Sequence, residues 1–317
     1  MHSYPFLLDP VAKSALWGGA RLCRDWGKHT DLANIAETWE LSVREHERAV
    51  IRNGVYAGMT LFDVLEKMGN RAIGRDFKGG RFPLLIKFID AEDRLSVQVH
   101  PDDAAAAEAE DGVGKTEMWH IVEAREGAQI LYGLREGVTS ADYAAAVARG
   151  DFLSLLRTKT VHTGETYFIP AGMPHAIGAG ILIAEIQQNC DLTYRVFDYD
   201  RVGADGKKRP LHVKEALRVI RPFSATEIDA IQYARGAGGG VLCSCPYFRV
   251  ERLLLDGALT RAADTNSFHS LLVLTGGGCV QTPNACVEFK KGDSLFLPAD
   301  TGTYTLSGNA TLLLTTL

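Results

Sequence analysis

Four residues in this chain could act together on one ion: Gln98, His100, Glu117 and His175. Gln98 and His100 share a face of LSVQVHPDD (95 to 103), where Ser96 joins them, while Leu95, Val97 and Val99 take the apolar face. Glu117 lies in KTEMWHIV (115 to 122), a carboxylate in a strand otherwise suited to burial, and shares its face with Trp119. His175 ends IPAGMPH, where two prolines and a glycine stiffen the approach and fix the direction of the imidazole. Two imidazoles, one carboxylate and one amide oxygen form a borderline-hard donor set suited to Zn, Mn, Fe, Co or Ni, without the thiolates of a structural zinc site. One carboxylate against a divalent ion leaves about one positive charge, so the ion stays a strong Lewis acid able to polarise a carbonyl or hydroxyl. The competing reading is a solvated polar row with Glu117 at an exposed edge.

Further charged residues cluster around these stretches. Lys87 is a lone cation in the apolar strand LLIKFID, and with the hydroxyl of Ser96 it could bind an anion such as a phosphate. AEIQQNCDLTYRVFDYDR (184 to 201) is dense in ionisable groups. Glu185 and Arg195 are ten apart there and share a face if the strand is unbulged, whereas Asp200 and Arg201 read equally well as a salt-linked surface. His120, His162 and His212 lack comparable surroundings and read as structural or surface residues.

These residues need strands to position them. TWELSVREHERAVIRNGVY (38 to 56), LLIKFID, RLSVQVH, EMWHIVEA and AQILYGL alternate in the β manner between polar turns. Helical spacing appears over 60 to 74 with Thr60 as N-cap, at the proline-led start of PDDAAAAEAEDG (101 to 112), and over 211 to 220. A helical insertion of one or two helices, broken near Gly150, is predicted over about 138 to 161. The whole reads as mainly β, with two antiparallel barrels or jelly rolls, a catalytic unit over 1 to 225 and a second over 226 to 317; the glycine run at 236 to 240 marks the passage between them.

Composition agrees with an ordinary globular protein: 317 residues, 46% hydrophobic, 23% charged, 32 glycines. A net charge of -5 gives no electrostatic case for nucleic acid or membrane. No apolar run approaches a membrane span, no signal peptide is evident, and the six scattered cysteines read as reduced thiols, so a cytoplasmic location is expected. Cys243 and Cys245 share one strand face without forming a metal site by themselves.

An internal repeat links the two halves. HTGETYFIPAGMPHAI (162 to 177) matches KKGDSLFLPADTGTYTL (290 to 306), and both resemble the second motif of the cupin barrel. The first copy carries a histidine after its turn; the second carries Thr303 and Tyr304, so the C-terminal unit is expected to be metal-free.

LWGG (16 to 19), ETWELS (37 to 42), PLLIKFIDA, LSVQVHPDD, GKTEMWHIV, YFIPAGMPHAI and IQQNCDLTYRVFDYDR together resemble the type I mannose-6-phosphate isomerases in their short bacterial form, in order and over nearly the whole chain. The resemblance implies a zinc-dependent aldose–ketose isomerase interconverting mannose 6-phosphate and fructose 6-phosphate through an enediol. It implies zinc ligands at Gln98, His100, Glu117 and His175, an active-site arginine at Arg195, an active-site lysine at Lys115, and phosphate contacts at Lys87 and Ser96. The proton would be shuttled by Lys115, its pKa lowered beside the cation, or by Glu185. Ala176 and Ile177 stand where some relatives carry a tyrosine. The implied partner is a small sugar phosphate, with the chain a monomer or homodimer. A non-catalytic sugar-binding bicupin would be expected to lack a ligand or the Lys/Arg set, and a cupin oxygenase normally has a third histidine where Gln98 stands.

Overall fold

The structure, a computed structural model, describes residues 3–32, 34–107, 112–203, 206–224, 226–227 and 238–317. It is mainly β, as the alternating stretches predict. Three large antiparallel sheets carry it. The first runs Thr166–Ile169, Glu117–Ala124, Ile181–Gln188, Leu84–Ala91, Glu37–Leu41, Val11–Lys13 in spatial order. The second runs Leu156–Thr160, Gln129–Leu134, His175–Ile177, Val97–Val99, Tyr194–Phe197. Trp17, Ile89, Trp119, Ile121, Ile130, Tyr132, Tyr167 and Ile177 from these two sheets and their flanks form one apolar cluster.

The third sheet belongs mostly to the C-terminal part, with the long strands Arg249–Ala263, Gly302–Thr316 and His269–Thr282 adjacent to one another. Two N-terminal strands complete it: Phe6–Asp9 pairs with Ser294–Leu297, and Val50–Ile51 pairs with Phe6–Asp9. Residues read from the sequence as part of the first unit therefore add an edge to the second. Phe6, Phe82, Phe268 and Phe296 lie in a shared core that also holds Phe88 and Leu41, with the Phe268 and Phe296 rings stacked at 5.0 Å. The expected passage near 225 and part of the glycine run (236 and 237) lie outside the described residues.

Helix starts follow the sequence where side chains cap the backbone. The helix Leu61–Met68 starts where Thr60 accepts from the Asp63 amide at 3.1 Å. The helix Ser140–Arg149 has a full capping box between Thr139 and Asp142 and ends on Gly150 in the left-handed region. After a short 3-10 turn, Leu156–Thr160 is a strand paired with Gln129–Leu134, so the helical insertion stops earlier than predicted. The leucines of LSLL suit either period, and pairing with an available sheet edge decides between them.

Two further readings need correction. Ala184 to Arg201 is not one strand: Ile181–Gln188 and Tyr194–Phe197 belong to different sheets, separated by the bend through residues 189–193. Nor are all six cysteines thiols, since Cys279 and Cys286 are joined as a disulfide with Cα atoms 6.4 Å apart. They lie on the paired strands His269–Thr282 and Ala285–Lys290, a hairpin register that their spacing of seven does not reveal.

Candidate active site

The two N-terminal sheets bring all nine predicted residues to one region. Val97–Val99 lies between His175–Ile177 and Tyr194–Phe197, and its central residue Gln98 is directly opposite His175 on one side and Arg195 on the other. The opposite sheet supplies Lys87, Glu117 and Glu185 from three neighbouring strands. A cavity of about 320 Å³ opens between them, with Lys87, Ser96, Gln98, Lys115, Glu185 and Arg195 in its wall.

Beside Lys115 of that wall, His100, Glu117 and His175 are buried, and one ligand atom from each falls within 4.8 Å of the other two. His100 Nε2 is 3.0 Å from Glu117 Oε1, and His175 Nε2 is 3.9 Å from Glu117 Oε2. Each imidazole uses Nδ1 on a backbone carbonyl, His100 on Leu192 and His175 on Met173, both at 2.8 Å. That contact fixes the ring and turns Nε2 toward the carboxylate. His175 Nε2 is buried without a hydrogen-bond partner among the described residues. Burial first, and then the Lys115 charge, pushes the His100 pKa down to about 3; burial likewise lowers that of His175. Burial works against ionising Glu117, but the Lys115 ammonium and His100 hold its carboxyl well below the usual range. Two neutral imidazoles beside an ionised carboxylate fit a divalent cation, and Gln98 stands opposite His175 to add its amide oxygen.

The loops that carry these ligands are bonded to each other. Gly172, at a φ of 86°, donates its amide to the His100 carbonyl at 2.8 Å, so the turn before His175 is anchored to the backbone of the other histidine. A Cβ at Gly172 would press to 3.0 Å against Val219 O and Arg221 Cβ, so both the space and the positive φ favour glycine there. Lys115 N donates to Pro101 O at 3.0 Å, and Asp103 Oδ1 accepts from Gly114 N and from Gln188 Nε2, whose side-chain oxygen accepts from Thr116 N. HPDD and GKTE thus form one hydrogen-bonded unit, a physical reason for the two motifs to occur together.

Lys115 lies among the acids. Its Nζ is 2.7 Å from Glu117 Oε1, 3.4 Å from His100 Nε2 and 3.8 Å from Glu185 Oε1. Burial would lower its pKa, but Glu117 and Glu185 outweigh burial and raise it. Burial, with Glu117 next, pushes Glu185 up to about 7. Glu185 Oε1 is buried and accepts no hydrogen bond among the described residues. Glu185 and Arg195, expected on one strand face, instead meet the cavity from two sheets.

Ser96 Oγ accepts from Arg195 Nε at 3.3 Å, and Arg195 NH1 donates to Pro210 O at 2.9 Å. His212, read as structural, backs this arginine by accepting its amide N–H at 3.2 Å. Lys87 Nζ is 3.3 Å from Glu37 Oε2 and 3.8 Å from Asp191 Oδ1, and lies over the Trp39 ring. Sequence reasoning missed Glu37, Asp191 and Arg209 as cavity residues. Glu37 had a signal comparable to that of Glu117, an acid opening a strand whose other residues are buried; Arg209 follows a turn and had none.

Fold and site together define a mainly β, cupin-type protein with a candidate metal centre at His100, Glu117 and His175. Residues 6–126 match "Phosphomannose isomerase type I, catalytic domain", and residues 241–317 match "Mannose-6-phosphate isomerase, cupin domain". The Bacillus subtilis (strain 168) mannose-6-phosphate isomerase ManA is 36% identical over 98% of both chains, and the Streptococcus mutans mannose-6-phosphate isomerase is 37% identical over 93% of this chain and 92% of its own. The crystal structure of mannose 6-phosphate isomerase from Bacillus subtilis superposes with a TM-score of 0.89 at 33% identity, covering 99% of each chain. The chain belongs to the type I phosphomannose isomerase family.

Proposed function

We propose that this chain interconverts mannose 6-phosphate and fructose 6-phosphate with one zinc ion held by Gln98, His100, Glu117 and His175. The observation that carries this reading is the buried His100–Glu117–His175 cluster, bonded through Glu117 to Lys115 in the wall of a cavity that also exposes Glu185 and Arg195. Family membership supplies the substrate: both Bacillus and Streptococcus relatives bear the name mannose-6-phosphate isomerase. A cytoplasmic location suits such a substrate; among the described residues no helix is long and apolar enough to cross a membrane.

A divalent ion in this donor set supplies Lewis acidity for the sugar carbonyl and for the negative charge that develops on oxygen. The chain's own groups do the rest. Ser96 and Lys87 take the phosphate, with Arg209 beside them in the same wall. Arg195 assists ring opening and stabilises the enediolate oxygen. Glu185 Oε1 removes the proton from C2 of the open-chain aldose and returns it to C1. A proton passes from the C2 hydroxyl to the C1 oxygen in the same conversion, so the hexose is rearranged with no net gain or loss. Glu185 is favoured over Lys115 because its Oε1 is free to accept, whereas the Lys115 ammonium is tied to Glu117 at 2.7 Å. Lys115 then serves to hold the two carboxylates and to donate toward the sugar oxygens.

A coupled assay for fructose 6-phosphate, run with mannose 6-phosphate and with unphosphorylated mannose, tests the assignment. Rapid turnover of the phosphorylated sugar and slow turnover of the free sugar are expected. Equal turnover of both would remove Ser96 and Lys87 from their roles, and no turnover of either would defeat the reading.

A further inference from the structure

Trp119 is fully buried two residues beyond Glu117 and directly opposite Glu185 in the ladder between Glu117–Ala124 and Ile181–Gln188. Its single indole N–H lies between two acids, donating to Glu117 Oε2 at 2.9 Å and to Glu185 Oε2 at 3.1 Å. Lys115 Nζ spans the other oxygen of each, at 2.7 Å from Glu117 Oε1 and 3.8 Å from Glu185 Oε1. Each carboxylate is therefore held by one oxygen on the indole side and faces the lysine with the other. The ring is fixed in turn: it packs edge-on to His175 with centroids 5.2 Å apart and pairs across the ladder with Tyr167. Trp119 does not line the cavity wall, so it has no direct reach to a sugar.

Two ionised carboxylates that share one donor repel, and a buried carboxylate with a free rotor would turn toward whichever cation is nearest. An indole N–H is a donor only, so it keeps hold of Oε2 of Glu185 whether or not Oε1 carries a proton. Lys115 holds the pair unequally, at 2.7 Å from Glu117 Oε1 and 3.8 Å from Glu185 Oε1, so the indole supplies the closer contact to Glu185.

We propose that Trp119 is a positioning residue that orients both carboxylates at once, setting Glu117 for the metal and Glu185 for the substrate through one shared hydrogen. The inference rests on the roles assigned above to Glu117 and Glu185. It implies that metal affinity and turnover depend on a group that touches neither metal nor sugar.

The test removes the N–H and keeps the ring. Trp119→Phe is the simple variant, and Trp119→3-benzothienylalanine, an isostere lacking only the N–H, gives the decisive reading if the smaller ring impairs folding. Zinc affinity measured by competition with a chelating dye should weaken about 10–100-fold. Turnover at saturating zinc should fall by a similar factor, with KM for mannose 6-phosphate changed less than about twofold because no substrate contact is lost. The visible spectrum of the cobalt-loaded variant should differ from that of the cobalt-loaded parent. Native zinc affinity, or native turnover at saturating zinc, in the isosteric variant would overturn the proposal. Glu117→Gln and Glu185→Gln serve as controls: if they leave affinity and turnover intact, the roles of the acids have failed; if they impair both and the isostere impairs neither, Trp119 alone has failed.

Discussion

The turn after Ile169 and the turn after Leu297 begin alike and end differently. Both open with Pro-Ala, and in each the proline carbonyl accepts an amide three residues on, from Met173 at 3.1 Å and from Thr301 at 3.2 Å. Beyond the first turn stands His175, its Nε2 bare beside a carboxylate. Beyond the second stands Tyr304, its hydroxyl paired with His269 Nδ1 at 2.8 Å and its ring among Leu271, Val273, Leu306 and Leu312. One backbone device thus serves two interiors. The first holds imidazoles, carboxylates and a lysine, each of which burial opposes in its charged form. The second is filled with hydrocarbon and contributes packing. Chemistry and stability are divided between copies of one motif, and the Phe6 and Phe296 core fastens them into one molecule.

That division makes opposite forecasts for the two interiors. The largest effect is expected from His175→Ala, which should remove bound metal and lower turnover by on the order of 10³ or more, since several kcal/mol of charge stabilisation go with the ion. Its thermal midpoint, measured without metal, should fall by less than that of a buried leucine truncation, because losing the orphan Nε2 partly offsets the cavity and the Met173 carbonyl left without its partner. Next comes Arg195→Ala, with a fall in kcat of about 10²–10³ and little change in stability; near-native turnover in the coupled assay would remove Arg195 from the mechanism. In the second interior the pattern should invert. Leu312→Ala, at a fully buried site, should lower unfolding free energy by about 2–5 kcal/mol in a denaturant titration while kcat at 25 °C stays near native.

The smallest forecast concerns pH. Burial holds the folded-state pKa of His269 down to about 4, against an ordinary value of 6.5. The unfolded chain therefore binds the proton first. The stability that comes from keeping this imidazole neutral is complete above about pH 6.5 and is lost as pH falls toward 4. In denaturant titrations at pH 7 and pH 5, the loss of unfolding free energy on acidification should be smaller in His269→Gln than in the parent by on the order of 1–2 kcal/mol. Asp264 and Glu251 oppose the shift by favouring the charged ring, which keeps the effect small.

Much of the site was legible in the sequence because a strand's period of two states which side chains share a face. Ser96, Gln98 and His100 could be placed together on that ground, as could Glu117 with Trp119. The capped helices at Thr60 and Thr139 were similarly open to reading, since capping is local. What escaped was long-range. The pairing of Phe6–Asp9 with the C-terminal sheet joins residues nearly 290 positions apart, and no local pattern announces it. The bend through 189–193 puts Glu185 and Arg195 in different sheets, though their even spacing read as one face. The shared hydrogen of Trp119 was hidden for the same reason: its second acceptor comes from a strand 66 residues away.

The central claim is that the His100–Glu117–His175 cluster, with Gln98, holds the ion on which isomerisation depends. Zinc titrated into chelator-stripped protein, with bound metal and fructose 6-phosphate formation followed together, tests it most directly. The account predicts negligible activity in the stripped chain, recovery in proportion to bound zinc, and a plateau at about one ion per chain that His175→Ala abolishes. Full activity in the stripped chain, or an unchanged plateau in His175→Ala, would contradict it.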